Sequence, residues 1–396
     1  MLESPSRIEP ARLEEPSEAI SDVLADLSAA TATLGQKLHP RTAASLAALV
    51  KIMNAYYSNL IEGHNTRPKE IEQALAGHFD PDGERRDLQM EAAAHVRVQA
   101  EVDRMALENR LPEPASEQFL KWLHREFYRD APEQMLRIKT GQREVVMTPG
   151  EYRSRVEHDV EVGRHAPPSS VCVHSFMTYF EDRYRLERMG KAGRILSMAA
   201  AHHRLNFIHP FLDGNGRVSR LMSHGMGYSA GVGARGLWSI SRGLARGLSS
   251  RGEYKSMMDH ADAPRQGDLD GRGNLSLRAL SDFVLWFLQI ALDQVLFMSS
   301  LFEFDSLAVR LRTFVERDDR LKPESARLLE EALLRGEFER GDVGRITGLP
   351  VRTARRVLAD LLEVGLLASE TPKGDVSLRF PVDTLDILFP RLFPEN

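Results

Sequence analysis

One string of twelve residues, His209-Pro-Phe-Leu-Asp-Gly-Asn-Gly-Arg-Val-Ser-Arg220, gathers types that could do phosphate chemistry. Gly214 and Gly216 flank Asn215 ahead of an apolar helical run, so several backbone N–H groups can turn toward one point at a helix N-terminus. That is a nest for an anion. Arg217 and Arg220 are three residues apart, on neighbouring positions of the first helical turn, and can face the same anion. Asp213 offers a hard oxygen, suited to a Mg²⁺ ion held jointly by protein and phosphates. His209, stiffened by Pro210, is the group here able to accept a proton near neutral pH. Together these residues describe attack by a hydroxyl group on a nucleotide phosphate.

The elements that must position this string read as helices. Leu46, Leu49, Val50, Met53, Tyr57 and Leu60 recur at spacings of three and four and predict one helix over 42–62. Further helices are expected at 68–76, opened by Pro68, and at 88–109, 116–128, 170–185 and 191–206. Between 139 and 162, Gly141, Pro149 and Gly150 stand among the β-leaning Val145 and Val160, which predicts a short hairpin, followed by a turn at Pro167-Pro168. The Gly- and Asp-rich run 262–274 reads as a surface loop. In the last 80 or so residues, a short helix at 341–348, a longer one at 350–365 and a two-stranded wing over 366–380 make a winged-helix module.

A chain of 396 residues with 42% hydrophobic and 28% charged residues has the composition of a soluble globular protein of two or three domains. A net charge of −5 and a pI near 6.3 argue against a surface that tracks nucleic acid throughout. The lone Cys172 excludes an internal disulfide and is best read as a small buried residue. The polar, Pro-containing start predicts no signal peptide. Gln289, Asp293 and Gln294 within the apolar run 283–302 predict a buried or amphipathic helix, with no membrane partner. The expected location is cytoplasmic. Tyr228 and Tyr254 could neighbour a nucleotide base but read better as core.

The string 209–220 resembles the full signature of the Fic (filamentation induced by cAMP) family, with every defining position filled. The likeness extends through Ala199–Ile208, Gly150-Glu-Tyr-Arg153, Val160-Glu-Val-Gly163 and Pro167-Pro168, over roughly residues 40 to 300. The resemblance implies a mainly α fold: a Fic-type helical core with a β-hairpin flap, plus a C-terminal winged-helix domain. It implies an N-terminal region at 1–110, a catalytic domain at 111–300 and the winged helix at 301–396. It also implies a protein adenylyltransferase, which moves AMP from ATP, with Mg²⁺, to a Ser, Thr or Tyr hydroxyl of a target protein. His209 would be the general base and Asp213 the metal ligand. Gly214, Asn215, Gly216, Arg217 and Arg220 would bind the nucleotide, and Phe211 would anchor the loop. Gly216 favours AMP transfer, since similar phosphorylating members have Lys there. Val160, Glu161, Val162 and Gly163 would dock the target as an added strand.

Ser58-Asn-Leu-Ile-Glu-Gly63 matches the family's inhibitory motif, so the resemblance makes Ser58 and Glu62 a built-in brake. A carboxylate on Arg220 would displace the γ-phosphate, and the same Glu62 could serve removal of AMP from the target. Two alternatives remain open: a DNA-binding regulator with a nucleotide-sensing core, and transfer of a different nucleoside monophosphate. Arg352, Arg355 and Arg356 fall on the winged helix's second helix. However, residues 341–380 hold six basic and five acidic side chains, a weak field for DNA. Substrate recruitment or a homodimer is the favoured role of that module.

Overall fold

The computed structural model describes residues 3–140, 143–163 and 165–393. It is mainly helical, as the periodicity predicts. The N-terminal part holds α1 (Glu18–Thr33), α2 (Pro40–Ile61), α3 (Pro68–Leu75), α4 (Gly83–Leu107) and α5 (Glu117–Phe127). A two-stranded antiparallel hairpin follows, β1 (Arg137–Thr140) with β2 (Arg143–Val146), and then α6 (Val173–Arg183), α7 (Lys191–Ile208) and α8 (Asn215–Ser229). Next come α9 (Ile240–Arg246), α10 (Glu253–Ala261) and α11 (Leu277–Phe302). The chain closes with α12 (Phe304–Arg317), α13 (Ser325–Arg335), β3 (Glu337–Phe338), α14 (Val343–Thr347), α15 (Val351–Val364), β4 (Leu367–Ala368), β5 (Val376–Leu378) and α16 (Leu385–Leu388).

Two compact units emerge. The first comprises residues 1–32 and 54–295, and the second residues 33–53 and 296–396. The segments expected as separate regions at 1–110 and 111–300 thus fall largely together, while 33–53 groups with the C-terminal residues. In the first unit, α7 packs along α8, and from Ile195 to Leu205 its side chains are all buried. α11 is long and apolar enough to cross a membrane by length and composition. Its Phe283, Val284, Phe287, Leu288, Ile290 and Ala291 are fully buried inside the protein, and Gln294 accepts from Arg242 at 3.1 Å. Core packing accounts for that apolar run. Cys172 is buried, as expected.

In the second unit, the N-terminal half of α2 lies on the three-stranded sheet, ordered β3-β5-β4, through Ser45 donating to the Leu378 carbonyl at 2.8 Å. The face of α15 formed by Ala354, Val357, Leu358 and Leu361 is buried, and Arg352, Arg355 and Arg356 are exposed.

The expected hairpin over 139–162 is shorter and earlier than its sequence suggests. The ladder ends at Val146, because Pro149 has no N–H to give and Gly150 turns at φ 87°. Farther on, Val162 and His165 form a single antiparallel bridge, with N–H···O distances of 3.1 and 2.9 Å. Arg164 lies outside the described residues.

Candidate active site

Helix α7 ends at a residue in the left-handed conformation, normally the place of a glycine. Here it is His209, at φ 50° and ψ 61°. A histidine there costs about 1 kcal/mol or more and persists only when its surroundings over-determine it. Arg153 supplies that constraint. Its Nε donates to the His209 carbonyl at 2.7 Å, and its Nη2 to the Ile208 and Pro168 carbonyls at 3.0 and 2.6 Å. Nη1 donates to Ser170 Oγ at 2.9 Å. Arg153 is 1% exposed, and one guanidinium therefore fastens the histidine turn to the base of the Val160–Pro168 segment.

The loop beyond is closed from inside. The Phe211 N–H donates to Asn215 Oδ1 at 2.9 Å, and Asn215 Nδ2 donates back to the Phe211 carbonyl at 2.9 Å. The Asn215 side chain is therefore spent on the loop itself, and its backbone N–H is what it can offer an anion. Phe211 is fully buried and stacks on the His124 ring at 4.0 Å, which makes it the anchor the resemblance implies. Gly214 caps α8 at φ 77°, where a Cβ would stand 2.9 Å from the Tyr128 ring and hydroxyl. The first turn of this 15-residue helix then presents its N–H groups outward with the positive end of the dipole.

Asp213 accepts from the Tyr128 hydroxyl at 2.8 Å and lies 3.6 Å from Arg217 Nη1. Burial pushes its pKa up, but Arg217, Tyr128 and the Gly214 N–H outweigh that and hold the carboxyl below its usual range. It is therefore ionised and still 45% exposed. Among the described residues, no three His, Cys, Asp or Glu side chains converge on one point. One ionised, half-open carboxylate beside a helix N-terminus fits a Mg²⁺ ion that takes its remaining ligands from phosphates and water.

Arg217 is 5% exposed. Its Nη2 bonds Glu91 at 2.7 Å and its Nη1 the Tyr128 hydroxyl at 3.2 Å, while the buried Nε finds no acceptor among the described residues. Arg220 is gripped from α2. Its Nε donates to Ser58 Oγ at 2.9 Å, and its Nη2 to Glu62 Oε1 at 2.6 Å and to the Ser58 carbonyl at 3.3 Å. Residues four apart share a helical face, which is why Ser58 and Glu62 reach one guanidinium. Burial opposes ionisation of Glu62, but Arg220 and Arg217 outweigh it and keep the carboxyl below its usual pKa. Helix α8 makes room for this contact at Gly216, where a Cβ would stand 2.5 Å from Glu62 Oε1.

Burial, with Arg153 and His165 adding to it, lowers the His209 pKa to about 4. The ring is thus neutral across the physiological range, as a proton acceptor must be. Carbon-13 NMR of the imidazole should find His209 uncharged down to about pH 4, whereas a titration near 6.5 would contradict this reading. The residues expected to dock a target are arranged as follows. Glu161, Val162 and Gly163 are exposed and Val160 is half-buried. The segment is anchored by His165 Nε2 on the Phe207 carbonyl at 2.7 Å and by Arg7 on the Ala166 carbonyl at 2.6 Å. Tyr228 and Tyr254 are pinned to Asp103 and His202 at 3.1 and 2.8 Å.

The sequence-predicted residues His209, Asp213, Gly214, Asn215, Gly216, Arg217 and Arg220 thus meet at one loop, and Ser58 and Glu62 join them from α2. Sequence reasoning assigned no role to Arg153, Tyr128, Glu91 or His124. Arg153 was within reach, since it ends the quoted Gly-Glu-Tyr-Arg run. The others are long-range partners with no local signal.

Fold and site together define a mainly helical protein in which a glycine-capped helix N-terminus lies beside a neutral histidine. The Fic/DOC family model matches residues 114–226, and this stretch is a Fic/DOC family domain. Two curated proteins named Protein adenylyltransferase Fic are similar over 82 residues, with 39% identity in Drosophila willistoni and 38% in Drosophila virilis. That match covers 21% of this chain and spans only 16% of the length of either relative. A crystal structure of a Fic family protein from Desulfovibrio desulfuricans G20 shares the fold, with a TM-score of 0.52 at 18% identity, covering 93% of this chain and 99% of that one. Glu62 and Ser58 lie outside the matched domain.

Proposed function

We propose that the chain is a protein adenylyltransferase restrained by its own Glu62. The observation that carries the reading is a neutral His209, locked in a left-handed turn, at the mouth of the loop that opens the N-terminus of α8. The names of the Drosophila relatives support the same chemistry.

In this mechanism the N–H groups of the first turn of α8 hold phosphate oxygens. Asp213 is the residue that would hold Mg²⁺, which when bound neutralises phosphate charge. The target hydroxyl gives its proton to the His209 imidazole as its oxygen bonds to the α-phosphorus. The bond from that phosphorus to the α–β bridging oxygen breaks, and pyrophosphate leaves with the electron pair. Catalysis is then mostly positioning and charge stabilisation. Arg220 would hold the γ-phosphate, and Glu62, already on it, denies that place. The exposed edge at Glu161–Gly163 is where an extended target segment would add as a strand.

The order α13, β3, α14, α15, β4, β5 supports reading the C-terminal residues as a winged helix. Recruitment of substrate or a homodimer is its proposed use, ahead of specific DNA binding.

The test is a pair of labelled ATP molecules offered with Mg²⁺ to the Glu62→Gly chain. Label from the α-phosphate should remain on protein and label from the γ-phosphate should not. Transfer of the γ-label instead would overturn AMP transfer.

A further inference from the structure

The end of α2 is tied down at a second point that neither the family match nor the inhibitory motif covers. Beyond Glu62 the chain turns at Gly63, φ 88°, with the Gly63 N–H on the Leu60 carbonyl at 3.1 Å and the His64 N–H on the Asn59 carbonyl at 2.9 Å. The turn brings His64 Nδ1 to 3.2 Å from Glu91 Oε2 on α4. The same Glu91 oxygen receives Arg217 Nη2 at 2.7 Å. Within seven residues, Ser58, Glu62 and His64 therefore engage both loop arginines: Arg220 directly, and Arg217 through Glu91. Glu91 is 11% exposed, whereas His64 is 36% exposed and open to protons from solvent.

We propose that the His64–Glu91 contact is a proton-dependent latch that holds the inhibitory end of α2 on the loop. This inference rests on the reading of Glu62 as a brake and concerns its regulation. The charged groups facing His64 are Glu91 from α4, Glu62 from the turn that ends α2 and Arg217 from α8. The bond to Glu91 is the largest influence. With the Glu91 and Glu62 charges it outweighs burial and Arg217, and raises the His64 pKa above the ordinary 6.5. A raised imidazole pKa gives a contact fully present below the ordinary value and lost as pH rises through the raised one. The latch therefore closes on the acid side and slackens as pH rises through the raised pKa. His209 stays neutral throughout that window, so the two titrations do not overlap.

The experiment is hydrogen exchange on the full chain, following backbone amides of residues 58–66 as protection factors at pH 6 and pH 8.5, beside self-labelling with ATP. A half-exposed ion pair is worth about a two- to fivefold effect. His64→Ala should lower protection by that factor at pH 6 and leave it equal to the parent at pH 8.5. His64→Lys, charged at both values, should keep protection at pH 8.5. With Glu62 intact, His64→Ala should raise self-labelling at pH 6 by a similar factor. In the Glu62→Gly background it should change nothing, since no brake remains to be held. Unchanged protection in His64→Ala at pH 6 would overturn the latch, and loosened amides without faster labelling would overturn its regulatory role. If Glu62→Gly itself never labels, the AMP-transfer reading fails, and the exchange data still decide the latch.

Discussion

Replacing Glu62 with Gly is expected to raise the rate of self-labelling from ATP about tenfold or more. The Glu62 carboxylate is 33% exposed, while the guanidinium it bonds at 2.6 Å is 1% exposed. A charge-assisted bond of that kind is worth roughly 1.5–3 kcal/mol, and the partial exposure of Glu62 argues for the lower half of the range. Since 1.4 kcal/mol is about a factor of ten, freeing Arg220 should bring at least one decade of ATP engagement. The gain should come at some cost in stability, because the buried Arg220 loses its carboxylate and keeps only Ser58, whose Oγ accepts from Nε at 2.9 Å and whose carbonyl accepts from Nη2 at 3.3 Å. Glu62→Gln, which keeps the shape but not the charge, should fall between. An equal rate in all three chains would remove Glu62 from any inhibitory role.

The second large effect belongs to Arg153. Arg153→Ala would orphan the carbonyls of Pro168, Ile208 and His209 and the hydroxyl of Ser170 in one step. Burial lowers the Arg153 pKa to about 10, so the lost group is a cation at neutral pH. Unsatisfied buried groups cost about 1–3 kcal/mol each, and partial relaxation should leave a net loss of about 3–5 kcal/mol. A urea midpoint measures that loss. Activity should suffer beyond stability, because the left-handed His209 would lose the clamp on its own carbonyl. Arg153→Lys separates the two effects: a single ammonium cannot span four acceptors held by a planar fork. The Lys chain should stay folded at 20 °C yet label at least tenfold more slowly. Full activity in it would show that the fork is dispensable.

These two sites mark how far the sequence was legible. Glu62 and Arg220 are 158 residues apart in the chain, yet the Ser58–Glu62 spacing and the 209–220 string each carried enough local pattern to be paired through the family likeness. The helical periodicity of α2, α4 and α5 was equally plain, because their apolar residues repeat at three and four. Other features depended on contacts that leave no periodic trace. Nothing local announces that Tyr128 bonds both Asp213 and Arg217, or that Glu91 bridges Arg217 and His64. The family likeness implied Asn215 as a nucleotide-binding residue, but nothing local announced that its side chain closes the loop on Phe211 and leaves its backbone N–H for an anion. The hairpin expected over 139–162 closes within Arg137–Val146, and Val162 forms only a single bridge, although Val145 and Val160 have equal β-preference. Which of them pairs in a ladder is decided by Pro149 and Gly150 and by neighbours distant in sequence.

Intact-mass spectrometry tests the central claim most directly, comparing the Glu62→Gly chain with the Glu62→Gly/His209→Ala chain after incubation with Mg-ATP. The account predicts an adduct of about 329 Da, one AMP moiety, on the first. On the second the signal should fall by at least about a hundredfold, the contribution of a positioned base. No adduct on the first chain, an adduct of about 80 Da from a phosphoryl group, or equal adducts on both would contradict it.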